Sequence, residues 1–319
     1  MLVSKCPVRI SLAGGSTDLD AYLQKYNTGS VICFSANVYC YINLNTDKLG
    51  LNGLDNKYVI DYMKREVVDS VENIENDIAR SVFQYFNMAP TTAWFTSDIY
   101  SSGSGLASST AYLIAMINAV QNSLGKTLTN FELCQLAMQL EKNFNPLTGY
   151  QDPFGCGTGG FNKFIFTKNG DIIIEKLPVD FLNEYDMYLI NTGLARNSTE
   201  VLRTIDPDKC TYLTSIVDEM HDKILDGKHS EVLELIKEGW IQKKKTSKLI
   251  MGNNKLIELD KILCDHQKVL AHRLLGAGNG GYFLAFTQKG TNVKNLQFKI
   301  NKKMIKICLC LDGPIVSHI

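Results

Sequence analysis

The sequence predicts an α+β fold of two domains with a functional site between them, and three observations carry that prediction. The first 60 residues are rich in β-branched and aromatic side chains, a glycine-serine loop stands between a strand pattern and an apolar helix, and the pattern changes after about residue 182. A chain of 319 residues, 45% hydrophobic and 21% charged, is long enough to bury a large core and to divide in this way.

The elements follow in order. VRISLAGG and VICFSANVYCYINL read as strands, 72–87 as a helix, and TTAWFTSDIY as another strand. The apolar stretch TAYLIAMINAVQNSL is helical, with Gly125 as its C-terminal cap. A second helix opens at Thr129, where Thr129 and Glu132 fit a capping box, and Leu133, Leu136, Ala137 and Leu140 form its apolar stripe to about Asn143. A glycine cluster, Gly149 to Gly160, leads into FNKFIF and DIIIEKL as a hairpin. Beyond it come the strand YDMYLINT, helical stretches over 208–270 that include KVLAHRLL, a glycine loop at 276–281 and closing strands. The two domains are therefore expected at 1–182 and 183–319.

Composition removes several function classes. Lys plus Arg and Asp plus Glu are both 33, so no net positive field gathers nucleic acid or anionic lipid. No apolar run approaches the roughly 18 residues of a membrane span, and MLVSKCPVRI lacks a signal-peptide core, which makes the cytoplasm the expected location. The nine cysteines show no CxxC spacing and read as reduced and mostly buried. Cys308 and Cys310 lie in IKICLCL, which suits a buried strand better than a metal site. All five histidines fall at 221 or later, which disfavours a Ser-His or His-zinc mechanism at the glycine-rich first half.

Three glycine signals compete for a phosphate. Gly276, Gly278 and Gly281 match the dinucleotide pattern G-x-G-x-x-G, but a helix precedes them and a strand follows, the reverse of what that pattern requires. Gly125, Lys126 and Thr127 end like a Walker A loop, yet they close a helix instead of opening one. The third, SSGSGLASSTA at 101–111, has the required strand before and helix after. There the backbone amides of Ser102, Gly103, Ser104, Gly105, Leu106, Ala107, Ser108 and Ser109 can wrap an anion at a helix N-terminus. On composition alone a flexible Gly-Ser connection is the alternative. Ser108 and Ser109 read either as helix caps or as hydroxyl ligands of Mg²⁺.

Two acids need a reason. Glu141 continues the apolar series 133, 137, 141 and sits in the last helical turn, where the dipole disfavours negative charge, so it calls for a cation. Asp152 lies in GYQDPFG between Gln151 and Pro153, where a turn-forming Asp-Pro is the other reading.

Assembled, these residues resemble the GHMP kinases, the family of galactokinase, mevalonate kinase and homoserine kinase. CPVRISLAGGSTD (6–18), SGSGLASSTA (102–111) and LLGAGNGGY (274–282) occur in that family's order over almost the whole chain. The resemblance implies an N-terminal ribosomal protein S5 domain 2-like domain, a ferredoxin-like C-terminal domain, ATP and Mg²⁺ as cofactors, and a small-molecule alcohol as acceptor. It implies metal binding by Ser109 and Glu141 and catalysis by Asp152 and Arg9, with the third motif closing the site. Substrate contacts are implied at Gly15, Ser16, Thr17, Asp18, Gln151, Arg196 and Gly278.

The departures are informative. Gly15 and Ser16 replace the Glu-His pair of galactokinases, Ser101 replaces a proline, and Asn279 interrupts the third motif's glycines. AGGSTD, GYQDPFGCGTGGFN and NTGLARNST are most similar to bacterial members that phosphorylate the anomeric hydroxyl of D-glycero-D-manno-heptose 7-phosphate. A 7-phosphate needs a distant basic contact, for which Arg196 is the first candidate and Lys163 the second, with Lys243 to Lys245 read as a solvated helix face. Adenine stacking falls to an aromatic such as Trp94 or Tyr58. Another sugar-1-kinase of the family and a catalytically silent sugar and nucleotide sensor are the competing readings, and a homodimer stays open.

Overall fold

The computed structural model describes residues 1–46, 56–101, 103–195 and 198–318. Its strands in chain order are β1 (Leu2–Gly14), β2 (Thr28–Asn45), β3 (Tyr58–Asp61), β4 (Arg65–Val68), β5 (Thr92–Ser97), β6 (Phe161–Thr167), β7 (Ile172–Lys176), β8 (Tyr185–Asn191), β9 (Ala271–Leu274), β10 (Tyr282–Gln288), β11 (Met304–Ile307) and β12 (Ile315–His318). Among the described residues they form one sheet of eight strands and one of four.

The larger sheet runs β12-β1-β2-β5-β3-β4, with β6 and β7 joined through β2. Only the β3–β5 pair in it is parallel. At 18 residues β2 is long enough to serve three neighbours. Its first half pairs with β6 (Thr28↔Thr167), its second half with β5 (Asn45↔Thr92), and β1 follows it nearly throughout (Arg9↔Ser35, Leu2↔Leu44). The β1–β2 register shifts between Pro7 and Val8 and between Ser11 and Ala13, either side of Arg9. The smaller sheet runs β11-β8-β10-β9, all antiparallel. Numbered within that unit, the order is 4-1-3-2, and helices join first to second and third to fourth strands, the ferredoxin-like arrangement.

The helix Ser108–Ser123 is buried over most of its surface, and Gln121, one of its few buried polar side chains, donates to Asn118. The helix packs on β1 and β2. The helix Asn130–Glu141 starts with the expected capping box: Thr129 Oγ1 accepts from the Glu132 amide and the Glu132 carboxylate accepts from the Thr129 amide. One apolar cluster extends from Ile10 and Leu12 through Ile114 to Leu189 and Phe286, so the two sheets share a core. The helices Thr211–Leu225 and His229–Thr246 pack against β1 as well as against each other.

One local expectation is corrected, and one open reading is decided. KVLAHRLL is not helical: the helix before it ends at Asp265, and residues 271–274 are β9 on the edge of the small sheet. Pairing Leu274 with Phe283 across the glycine loop outweighs the local helical pattern. GYQDPFG is not a turn, because Gln151–Gly157 forms a helix with Asp152 in its first turn. Pro153 is tolerated there, since the first-turn N–H groups have no helical partner to lose. All nine cysteines are free thiols, with Cys264 and Cys308 exposed and the others buried. No helix among the described residues is long and apolar enough to cross a membrane.

Candidate active site

Strand β1, the 103–109 loop and the helix Gln151–Gly157 meet at the floor of a cavity of about 600 Å³. Arg9 on β1 joins all three. Its Nε and Nη2 donate to Asp152 Oδ1 at 2.9 and 2.6 Å, while Nη1 donates to the Gly105 carbonyl at 2.7 Å. The guanidinium is 4% exposed and the Asp152 side chain 32%, so the arginine is the fixed element and the carboxylate faces the opening. Two of the residues singled out by the sequence are thereby placed in direct contact, and the phosphate loop is tied to both.

The loop enters its helix without a side-chain cap. Ala107 stands at the N-cap with φ +61°, and nothing on it can bond the amides that follow. Ser108 is not a cap either: its Oγ lies 2.8 Å from Ser104 Oγ, which also accepts from the Leu106 amide at 3.2 Å. Leu106 is fully buried and anchors the loop. Gly103, Ser104, Gly105, Ala107, Ser108 and Ser109 line the cavity, while Ser102 lies outside the described residues. An uncapped helix start with free amides and a ring of hydroxyls is chemistry suited to phosphate.

Glu141 lines the same cavity and is 2% exposed. Its partners among the described residues are neutral: Thr110 donates to Oε2 at 2.7 Å and Asn145 to Oε1 at 3.5 Å. Burial, reinforced by the charge of Asp152 and only partly offset by these donors, pushes its pKa up to about 7. A buried carboxylate with no cationic partner among the described residues, lining the same cavity as Ser109, fits a hard divalent ion held by few protein oxygens.

At the other side of Asp152 lies a polar subsite. Asp18 is 5% exposed, and its Oδ2 accepts from the Gln151 amide at 3.0 Å. Burial raises its pKa despite that bond. Gly149 is required there, because a Cβ would stand 2.1 Å from Asp18 Oδ2. Gln151 Nε2 and Ser11 Oγ are buried without partners. Ser16 and Gln151 line the cavity, and a Cβ on Gly15 would touch Gln151 Oε1 at 3.5 Å, so these first-motif residues do gather around Asp18. Thr17 does not join them: it is fully buried and its hydroxyl bonds the Ser30 carbonyl at 2.9 Å. Gly278 packs on Ile250 instead of lining the cavity, which Gly276 and Ala277 do.

The candidates for a distant basic contact are redistributed. Arg196 lies outside the described residues. Lys163 is committed to Asp218 at 2.9 Å and is not at the cavity. Lys244 pairs with Asp260 and Lys245 is exposed, but Lys243 is 4% exposed and lines the cavity, so the three lysines are not one solvated face. The sequence signal for it was present, since 232, 236, 239 and 243 share the buried stripe of the helix His229–Thr246. Neither proposed adenine aromatic lines the cavity: Tyr58 donates its hydroxyl to the Met88 carbonyl and stacks near Phe83. Tyr62, Phe95 and Tyr112 form the apolar end instead, with Phe95 centroids 6.3 and 5.4 Å from the other two rings.

The third glycine motif reaches the second directly. Tyr282 N–H donates to the Ser104 carbonyl at 3.1 Å, and at Gly281 (φ +88°) a Cβ would stand 2.2 Å from that same oxygen.

The fold recurs in solved structures. A D-glycero-D-manno-heptose 1-phosphate kinase from Bacteroides thetaiotaomicron superimposes with a TM-score of 0.76 at 20% identity, covering 100% of this chain and 99% of that one. Lactococcus lactis galactokinase with galactose gives 0.76 at 16% identity over 98% and 95% of the two chains. By sequence, the D-glycero-alpha-D-manno-heptose 7-phosphate kinase of Campylobacter jejuni is 24% identical over 318 residues, covering 92% of each chain. Residues 62–160, which hold the phosphate loop, Glu141 and Asp152, match the family model of the GHMP kinases' N-terminal domain.

Proposed function

We propose that this kinase transfers a phosphoryl group from ATP to the anomeric hydroxyl of D-glycero-D-manno-heptose 7-phosphate, giving the 1,7-bisphosphate on a route to nucleotide-activated heptose for surface polysaccharide. The observation that carries the chemistry is the Arg9–Asp152 contact tied to the Gly105 carbonyl, which sets a carboxylate and a cation beside a phosphate loop. The acceptor is argued from the similarity to the Campylobacter jejuni enzyme along nearly the whole chain and from Gly15 and Ser16 at the positions of the galactokinase Glu-His pair.

Each residue then has a task. Tyr62, Phe95 and Tyr112 offer an apolar slot for the base, and the 103–109 amides and hydroxyls hold the phosphates. Ser109 and Glu141 would hold Mg²⁺, which neutralises charge on the phosphate oxygens when bound. Asp152 accepts both Arg9 bonds on Oδ1, so Oδ2, which has no protein partner among the described residues, is available to orient the sugar hydroxyl and take its proton. Arg9 holds that carboxylate in place and offsets charge developing on the transferred group. Asp18 and Gln151 hold sugar hydroxyls in the adjoining subsite.

An ADP-release screen tests this with wild type and Asp152→Asn over heptose 7-phosphate, unphosphorylated heptose, galactose and mevalonate. The expected result is the highest kcat/KM for heptose 7-phosphate, with kcat falling about 100-fold or more in Asp152→Asn while ATP still binds. Preference for another sugar removes the acceptor assignment, and binding without any ADP release makes the protein a sensor.

A further inference from the structure

Lys243 is a buried cation with nothing of opposite charge bonded to it among the described residues. Its ammonium makes one hydrogen bond among the described residues, a long one to Ser16 Oγ at 3.4 Å. Two buried groups near it lack partners: Gln151 Nε2 is a donor without an acceptor, and Arg273, close enough to act on the lysine electrostatically, has an unpartnered Nε while its Nη1 donates to the Leu12 carbonyl. Arg273 is 1% exposed and pairs with no carboxylate among the described residues. Burial first, and Arg273 second, push the Lys243 pKa down to about 8, so the site carries a destabilised positive charge.

The local charge does not balance. Arg9 is taken up by Asp152. That leaves Lys243 against Asp18, itself pushed toward the neutral form by burial, with Arg273 near enough to Lys243 to repel it. A subsite with surplus buried positive charge and orphan donors is complementary to an anion. The lysine reaches it from the helix His229–Thr246, whereas Ser16, Asp18 and Gln151 come from the opposite wall. A ligand bound there touches both walls.

We infer that Lys243 binds the phosphate that the acceptor already carries, and so selects phosphorylated over neutral sugars. This rests on the acceptor reading given above and assigns its distant phosphate to a residue of the described structure. Were Lys243 a structural cation, removing it would leave a defect. As a ligand-binding residue it is instead kept at a cost to the fold, because an apolar side chain of similar length needs no partner when buried.

Lys243→Met and Lys243→Arg distinguish these cases, with kcat/KM measured for heptose 7-phosphate and unphosphorylated heptose, and thermal unfolding measured without ligands. In Lys243→Met the ratio of the two kcat/KM values is expected to fall tenfold or more, chiefly through the KM of the phosphorylated sugar, with the melting temperature held or raised. Lys243→Arg is expected to recover part of the ratio. An equal loss on both sugars, or no loss on either, overturns the inference. If wild type uses no heptose phosphate, the acceptor reading has failed, and inorganic phosphate then tests Lys243 by itself. With Mg²⁺ and AMP-PNP filling the nucleotide site, phosphate is expected to raise the melting temperature of wild type and not of Lys243→Met. The same rise in both proteins, or in neither, overturns the inference.

Discussion

Glu141 and Lys243 are charges set on apolar helical stripes, and in both cases the ligand-free protein bears the cost. Glu141 has a folded-state pKa of about 7, above the ordinary carboxylate value. Its contribution to stability is therefore fully present below the ordinary value and is lost as pH rises through about 7. Without metal, Glu141→Gln is expected to be more stable than wild type at pH 8, on the order of 2 kcal/mol, with the difference vanishing near pH 5. Binding of Mg²⁺ with AMP-PNP is expected to weaken below pH 7 in wild type more steeply than in Glu141→Gln, whose affinity is lower throughout. Calorimetry in two buffers of different ionisation enthalpy checks both, because wild type alone releases the Glu141 proton. Glu141 was legible in the sequence because 133, 137 and 141 repeat at helical spacing. Lys243 repeats at the same spacing with 232, 236 and 239, but two neighbouring lysines give the segment the composition of a solvated face. Tyr62, Phe95 and Tyr112 had no such signal, since it takes the pairing of β5 with β3 and the packing of a helix to bring them together.

At the scale of elements, the helix that holds Glu141 depends on its first turn. Thr129 and Glu132 satisfy each other's amides there, and Thr129→Ala is expected to lower stability by about 1 kcal/mol in denaturant unfolding. The helix that opens at Ala107 has no such cap, so it leaves to a ligand what Thr129 supplies to its neighbour. This contrast was half visible beforehand: the capping box is a four-residue pattern, whereas the missing cap is a backbone angle. One element was misjudged, and another left open, for one physical reason. Local preference says helix for KVLAHRLL and turn for GYQDPFG, and partners distant in the chain decide otherwise. β9 is fixed by its ladder to β10, and the Gln151–Gly157 helix by contacts with β1 and β2.

For the molecule as a whole, the contact between the second and third glycine motifs is the seam between the sheets. Ser104 belongs to the loop ahead of the buried helix and Gly281 to the turn ahead of β10, and the Ser104 carbonyl is bonded from Tyr282. Gly281→Ala places a Cβ against that oxygen at a left-handed φ, so it is expected to cost about 2 kcal/mol or more and to raise the KM for ATP. Both are measurable on the purified variant by unfolding and by steady-state kinetics. The order of the three motifs was enough to predict that such loops meet, but not the route by which the chain returns. That return is made by residues 308–318. The Cys310 amide donates to Ser35, Gly160 donates to Cys310, Gly313 packs against Gly157, and β12 then pairs Leu2 with His318. During synthesis on the ribosome, the outer edge of the strand that carries Arg9 thus stays unpaired until residues 315–318 have emerged. Folding of this sheet cannot finish from the N-terminus onward, and the nascent chain carries an open sheet edge until then.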